Sequence, residues 1–325
     1  MKLSVVTTLY KSAPYIGEFY RRVCATASRL MDEYEIIMVN DGSPDDSLDE
    51  AIKLTLTDSC VKVIDLSRNF GHHKAMMTGL AHTDGDLIFL IDVDLEEEPE
   101  WLLPFFEQMK REQSDVVYGV QEKRKGGVFE RLSGQWFYRI FRALTGLALP
   151  DNIVTARLMT RRYVDALLRH RERELMIAGL WHITGFDQRS QTINKHSTSE
   201  TTYTIRHKIS LLVNSVTSFS NTPLKAIFYI GVAISLLASC YSAYLIINWF
   251  AFAKPLSGWT SVVASIWLLG GVIISFIGII GIYLSKIFME TKQRPYTIVR
   301  QIYGIKQKET CETIGHCESK AKEEA

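Results

Sequence analysis

Two long stretches near the C-terminal end of the sequence carry no charged residue, and they constrain the fold more than any other feature. These are residues 226–253 and residues 255–285. Each is longer than the roughly 20 apolar residues that a helix needs to cross a bilayer. Two such runs in tandem favour a membrane hairpin over a buried soluble core. The sequence therefore predicts a transmembrane hairpin over residues 224–288, with helices at about 224–250 and 259–285.

The residues that flank the two runs predict how the hairpin is oriented. Aromatic side chains such as Trp249, Trp259 and Tyr283 lie near the run ends, where they suit the interface between headgroups and hydrocarbon. Only Lys254 separates the runs, whereas Lys and Arg are abundant on both outer sides. This asymmetry places both termini in the cytoplasm. The sequence leaves the oligomeric state open, although small-residue faces on such a hairpin could be covered in a homo-oligomer.

The remaining sequence has the mixed composition of a soluble domain. Residues 1–221 form the predicted cytoplasmic domain, and residues 289–325 form a predicted polar tail. The first ten residues have the pattern of a strand, so no signal peptide is expected. The formal net charge is +1, and no overall positive field favours binding to nucleic acid.

Short apolar segments alternate with helical segments along the soluble part. The predicted strands are 3–9, 35–39, 61–66, 87–91 and 116–120, and the clearest predicted helices are 15–31 and 74–81. Strand–helix alternation with nearly continuous apolar strands predicts an α/β fold with a mostly parallel, Rossmann-like sheet. Such sheets bind ligands at the carboxyl ends of their strands.

Two polar clusters follow predicted strands. Asp41 lies in the turn after the second strand, where a plain Asx turn is the alternative to a ligand contact. Asp92 and Asp94 follow the fourth strand. Side chains two apart in an extended segment point the same way, so both carboxylates can face one Mg²⁺ or Mn²⁺ ion. A solvated acidic turn is the alternative, but it does not explain two aspartates at the end of an apolar strand.

Five ordered motifs carry a resemblance to a known family. They are Val5–Tyr10, Val39–Ser43, Ser67–Gly71, Gly85-Asp86 and Asp92–Leu95, and the likeness continues through Arg157-Leu158-Met159, Ser218-Phe219-Ser220 and the hairpin. In this order and spacing the chain resembles the family 2 glycosyltransferases that load sugars onto polyprenyl phosphate. A single Asp-x-Asp motif is weak, whereas the ordered set with this topology is specific.

The resemblance implies a GT-A catalytic domain that binds a nucleotide sugar. Leu9, Tyr10, Asp41, Lys74 and Asp92 would be the nucleotide-binding residues. Asp92 and Asp94 would hold Mg²⁺ or Mn²⁺ under the diphosphate. The implied reaction is an inverting transfer of a hexose from UDP to undecaprenyl phosphate, which yields a lipid-linked donor for cell-surface glycans.

One departure from the family pattern concerns the acceptor. Members of the family often carry an aspartate where this chain has Thr155, so a carboxylate base is missing there. A phosphate monoester is already mostly ionised at neutral pH and needs positive charge more than a base. Arg124, Arg131 and Arg157 are the predicted catalytic residues that would supply it.

Segments near 132–148 and 207–221 are predicted interfacial helices, with an ordinary buried helix as the alternative for the first.

Three other functions are alternatives to transfer onto polyprenyl phosphate. A transferase with a saccharide or other hydroxyl acceptor remains open. A processive polysaccharide synthase usually has Gln-x-x-Arg-Trp and more membrane helices, and a non-catalytic lipid carrier would not explain Asp92 and Asp94.

Overall fold

The structure is a computed structural model that describes residues 1–121, 139, 142–145, 152–170, 172, 177–194, 213, 216–252 and 258–304. Arg124 and Arg131 lie outside the described residues, as do most of the segment 132–148 and residues 207–212. The predictions made for those positions therefore remain predictions.

The chain builds an α/β domain and then two long helices. The strands are β1 (Lys2–Leu9), β2 (Glu33–Asn40), β3 (Val61–Leu66), β4 (Leu87–Leu90), β5 (Val116–Gln121), β6 (Ile153–Thr160), β7 (Gln188–Ile193) and β8 (Val299–Tyr303). The helices are α1 (Ala13–Ala27), α2 (Ser47–Thr57), α3 (His72–Ala81), α4 (Leu102–Glu112), α5 (Arg161–Leu167), α6 (Ile177–Ile183), α7 (Thr222–Phe252) and α8 (Trp259–Thr291). A short 3₁₀ turn, Pro99–Trp101, leads into α4.

The strands form one sheet in the order β7-β5-β6-β4-β1-β2-β3-β8. Strands β1 to β4 are mutually parallel, and β5 is parallel to β7. Strand β6 is antiparallel to both of its neighbours, and β8 is antiparallel to β3. The sheet is therefore mixed rather than uniformly parallel, and its GT-A-like α/β architecture agrees with the predicted fold class.

Helices cover both faces of the sheet. On one face α1, α2 and α4 pack on the first core cluster, and on the other α3, α5 and α6 pack on the second. Helix α1 illustrates how the sequence produces this packing. Its apolar residues recur at helical spacing and are buried against the sheet: Ile16, Phe19, Val23 and Ala27. The two cores hold the strand ends rigidly, which positions the loops described below.

The C-terminal part differs from its prediction. Residues 299–303, expected to lie in a polar tail, form β8 at the edge of the sheet beside β3. Arg300 donates to Asp65 Oδ2 at 3.1 Å and to the Ser67 carbonyl at 2.7 Å, which holds the strand in place. The chain thus returns to the α/β domain after its last long helix.

The helices α7 and α8 occupy the positions of the two uncharged runs. Within α8, residues Ser265–Thr291 are long and apolar enough to cross a membrane, with mean hydropathy 2.3 and no burial inside the protein. Among the described residues this is the one helix that meets that test, and Thr222–Ala238 of α7 forms a shorter apolar segment. The length and composition of α8 therefore support one candidate membrane span.

Candidate active site

The loops that follow β1, β2, β3 and β4 meet at one edge of the sheet, because these strands are adjacent and parallel. Leu9 ends β1, Asp41 follows β2 directly, and Asp92 and Asp94 follow β4. Lys74 lies in the first turn of α3, which begins after the β3 loop. Sequence-predicted nucleotide and metal residues therefore lie at the same edge. We call Asp41, His72, Asp92 and Asp94 the carboxylate edge.

Asp41 joins the second and third of these loops. Its Oδ1 accepts the Phe70 N–H at 2.7 Å and its Oδ2 accepts the Gly71 N–H at 3.0 Å. Gly42 is required next to it, since its φ is +60° and a Cβ there would lie 2.5 Å from the Asn69 nitrogen. Burial raises the pKa of Asp41, although the two N–H groups oppose that shift. The Asp41 side chain is buried, and both of its oxygens hold the loop after β3 against the end of β2.

His72 was not singled out from the sequence, yet it lies at the centre of the carboxylate edge. Its Nδ1 is 2.9 Å from Thr8 Oγ1, and its Nε2 is 3.3 Å from Asp92 Oδ1. Burial lowers the pKa of His72, but the hydrogen bond and charge of Asp92, with Asp41 and Asp94, outweigh burial and raise it. His72 thus links β1 to β4 and orients Asp92. The sequence feature that could have indicated His72 is its position directly after the Ser67–Gly71 motif.

Asp92 and Asp94 offer oxygen ligands suited to a hard divalent cation. Asp94 is exposed, and its Oδ1 accepts the Glu96 N–H at 3.0 Å, which orients the carboxylate. Among the described residues no group of three or more His, Cys, Asp or Glu side chains is arranged to hold a metal alone. That fits magnesium, which is commonly held by one or two carboxylates together with substrate phosphates. The donor set is therefore compatible with the metal that the family implies.

Glu97 anchors the end of the loop that carries Asp92 and Asp94 to the neighbouring strand. The side chain is 0% exposed, and its Oε1 accepts the Thr155 N–H at 3.0 Å. A buried carboxylate in an otherwise apolar core must be paired or hydrogen-bonded. Glu97 therefore fixes the loop of Asp92 and Asp94 to β6, a role that the acidic run in the sequence concealed.

Tyr10 and Lys74 present groups that a nucleotide could contact. The Tyr10 ring is 48% exposed, while its backbone N–H donates to Ser12 Oγ at 3.1 Å. Lys11, at φ +56°, donates its N–H to Ser43 Oγ at 2.7 Å, so the loop is held from β2. The Lys74 amine forms no ion pair with the residues that the structure describes. Its charge is available to a phosphate.

Arg157 is buried inside the fold. It pairs with Leu90 across β4 and β6, and it is only 1% exposed. Its guanidinium contacts the Trp181 ring and lines a cavity of about 390 Å³ under α6. Arg157 is thus buried beneath α6 whereas Asp94 is exposed, although β6, which carries Arg157, is adjacent to β4. Trp181 carried no signal in the sequence.

A second cavity, of about 710 Å³, lies where α8 meets the α/β domain. Its lining includes Thr145, Ser218, Ser220 and Tyr283. Tyr283 donates to the Ser220 carbonyl and Lys286 donates to Ser218 Oγ, each at 2.7 Å. These bonds join the apolar helix directly to the segment that the sequence had indicated as interfacial.

Comparison with known proteins identifies the family to which the chain belongs. The model of glycosyl transferase family 2 matches residues 4–168. A Mycobacterium tuberculosis protein named as a glycosyltransferase is 54% identical over 94% of this chain and 89% of its own length.

Two further relatives match over nearly their full length. A Bacillus subtilis glycosyltransferase is 33% identical over 95% of this chain and 96% of its own length. The bactoprenol glucosyl transferase of Shigella phage SfX is 30% identical over 92% of this chain and 99% of its own. Together with the family match and the α/β architecture, these likenesses show that the chain belongs to the family 2 glycosyltransferases.

Proposed function

We propose that this enzyme transfers a hexose from UDP to undecaprenyl phosphate, with inversion, on the cytoplasmic face of a membrane. The observation that carries the proposal is the junction between α8 and the α/β domain. Tyr283 and Lys286 of α8 bond to Ser220 and Ser218, so the end of an apolar, unburied helix lies against the catalytic domain. An acceptor with its tail in lipid and its phosphate in the domain fits that junction.

The similarity to a bactoprenol glucosyl transferase supports the same acceptor and favours glucose as the sugar. The family supports a nucleotide sugar as donor. The choice of UDP as the nucleotide rests on the resemblance of the ordered motifs to the family, and not on a contact in the structure.

The proposed chemistry requires charge compensation. An oxygen of the acceptor phosphate forms a bond to the anomeric carbon, while the bond from that carbon to the terminal oxygen of UDP breaks and UDP leaves. When bound, Mg²⁺ or Mn²⁺ held by Asp92 and Asp94 supplies positive charge to the leaving diphosphate. No proton has to be removed from an ionised phosphate, which agrees with threonine at position 155. Arg124, Arg131 and Arg157 are assigned to the acceptor phosphate.

The membrane arrangement is part of the proposal. Helices α7 and α8 form a two-span hairpin with both termini in the cytoplasm, supported by the apolar segments of each and the flanking Lys and Arg residues. A C-terminal reporter should behave as cytoplasmic. In a cysteine-free background, Lys254→Cys should react only with reagent added from the opposite side. Reaction from the cytoplasmic side alone would refute the hairpin.

Donor and acceptor can be tested together. The full chain in nanodiscs is given a panel of radiolabelled nucleotide sugars with Mg²⁺ and either undecaprenyl phosphate, undecaprenol or an oligosaccharide. We expect label in an organic-extractable, mild-acid-labile product with undecaprenyl phosphate alone. Transfer to undecaprenol or the oligosaccharide, with undecaprenyl phosphate inert, would instead establish a hydroxyl acceptor and refute the proposal.

A further inference from the structure

The cavity under α6 is lined by polar side chains, and one of them, the Trp181 indole N–H, has no acceptor among the described residues. It lies over β5 and β6 and is lined by Tyr118, Arg157, Trp181, His182 and Gln188, among others. We call it the Arg157–Trp181 cavity. At about 390 Å³ it is within the size range of small-molecule sites.

Arg157 brings a nearly unpaired positive charge into this space. A guanidinium has five N–H donors. Here Nε donates to the Thr155 carbonyl at 3.2 Å and Nη2 donates to the Val154 carbonyl at 3.3 Å. Arg157 makes no ion pair with any residue that the structure describes. Its remaining N–H groups therefore make no hydrogen bond to a carboxylate among the described residues.

Trp181 provides an independent sign of a missing ligand. The side chain is only 6% exposed, and its indole Nε1 has no hydrogen-bond partner within the described part of the chain. Buried indole N–H groups usually have an acceptor. The ring also contacts the Arg157 guanidinium, so the two donors belong to the same site.

The polar groups around the cavity do not supply the missing acceptors. Gln188 Nε2 donates to the Trp181 and Gly185 carbonyls at 2.6 and 2.7 Å. Asp187 forms an ion pair with Arg189 at 2.8 Å. Burial lowers the pKa of Arg157 to about 9, although electrostatic interactions with Tyr163, Glu97 and Tyr118 oppose that shift. A ligand that accepts hydrogen bonds and carries negative charge would complement these donors.

The position of the cavity identifies a source for such an anion. Arg157 pairs with Leu90, and Asp92 lies two residues beyond Leu90, where side chains of an extended segment point to the same face. On its other side α6 touches the membrane-proximal segment, because the Phe219 ring packs directly on Gly179. The cavity is therefore placed between the carboxylate edge and the junction with α8.

We propose that the Arg157–Trp181 cavity binds a phosphate monoester, with the guanidinium and the indole N–H both donating to its oxygens. Resting on the proposed function, we identify this group as the phosphate of the lipid acceptor. The site would hold the nucleophile beside the metal-binding loop and offset its charge. A planar guanidinium can donate two parallel bonds to a phosphate, which a lysine amine cannot copy.

The experiment compares four variants of the full chain in nanodiscs. Arg157→Met removes the charge, Arg157→Lys keeps it without the fork, and Trp181→Phe keeps a ring without the N–H. Arg111→Met is the matched control, because it removes an exposed arginine of α4, on the other face of the sheet, that pairs with Glu112. Thermal melting of each variant separates a misfolded protein from a specific defect.

For Arg157→Met we expect the apparent KM for undecaprenyl phosphate to rise at least about tenfold. Trp181→Phe should raise it about threefold to tenfold, and Arg157→Lys should recover part of the loss. The affinity for UDP in each variant, and the apparent KM for undecaprenyl phosphate in Arg111→Met, should change less than about twofold. Unchanged lipid dependence in a folded Arg157→Met, or loss of UDP binding instead, would overturn the assignment.

A second arm identifies the source of the phosphate without relying on turnover. The fluorescence difference between the wild type and Trp181→Phe isolates the Trp181 signal, which is titrated with inorganic phosphate and with nanodiscs containing undecaprenyl phosphate. A response to both probes that disappears in Arg157→Met supports the site even if the wild type transfers no sugar to lipid phosphate. A response to inorganic phosphate alone would keep the anion site but refute its lipid occupant, and no response to either would refute the site.

Discussion

The carboxylate edge and the Arg157–Trp181 cavity lie on adjacent strands, yet they are built in opposite ways. The first is open and acidic, and its side chains are oriented by bonds such as those from His72 to Asp92 and from Phe70 to Asp41. The second is partly enclosed and contains the Arg157 guanidinium, and its Trp181 indole N–H has no acceptor among the described residues. A reaction whose donor carries a diphosphate and whose acceptor carries a phosphate needs both kinds of surface. One region suits a cation with its nucleotide, whereas the other suits an anion.

Asp94→Asn should produce the largest effect and would test whether the open region is a metal site. We expect turnover to fall by about a thousandfold, on the order of 4 kcal/mol of transition-state stabilisation, because one metal ligand is lost. The measurement is sugar transfer with Mg²⁺ or Mn²⁺. Asp86→Asn, at the opposite end of β4, is the control and should retain activity. Near-normal turnover of Asp94→Asn would contradict the metal assignment.

Glu97→Ala tests the connection between the two regions. Removing the carboxylate leaves the buried Thr155 N–H without an acceptor, so stability should fall by about 2 to 3 kcal/mol. Glu97→Gln keeps an amide oxygen at the same place, so this variant should lose much less stability. Thermal unfolding of both variants in the same detergent gives the comparison. Equal losses would mean that charge, rather than the hydrogen bond, anchors the loop.

His72→Ala should have a smaller effect, since His72 orients Asp92 without being a predicted metal ligand itself. Loss of such a supporting contact typically costs about 10- to 100-fold in metal affinity or activity. The expected signature is a raised Mn²⁺ requirement that excess metal partly restores. His82→Ala, at the opposite end of α3, should show no change in metal requirement. A loss of His72→Ala activity that no metal concentration relieves would point to a direct role.

Arg300→Ala should have the smallest effect of the four. The Arg300 side chain is 58% exposed, so its bond to buried Asp65 is partly screened and worth about 0.5 to 1 kcal/mol. We expect faster amide exchange in β8 with little change at the carboxylate edge. Lys292→Ala, at the end of α8 and before the strand, is a suitable control. Unchanged exchange in β8 would show that strand pairing alone holds the C-terminal segment.

Much of the first region could be predicted because its signals are local. Strand β3 was predicted at 61–66 and is observed there, and Asp92 and Asp94 follow β4 as expected. The roles of these residues remain proposals. The strand β8 was missed, since it is short, follows a long helix and gains its stability from pairing with β3 far away in the chain. Edge strands of this kind have little intrinsic preference that a sequence pattern reveals.

The second region could hardly be predicted at all. Of its residues the sequence indicates Arg157 alone, and no pattern predicts that Arg157 is buried under α6. Tyr118, Trp181 and Gln188 come from separate segments, and the sequence contains no motif that connects them.

By itself the sequence determined the class of fold, the position of the carboxylates at strand ends and the presence of long apolar helices. These follow from periodicity and from residues close together in the chain. Only the tertiary structure decided that β6 and β8 run against their neighbours, that His72 lies on Asp92 and that Arg157 meets Trp181. Those contacts join residues that are distant in sequence, and their energies come from packing and burial rather than from any local preference.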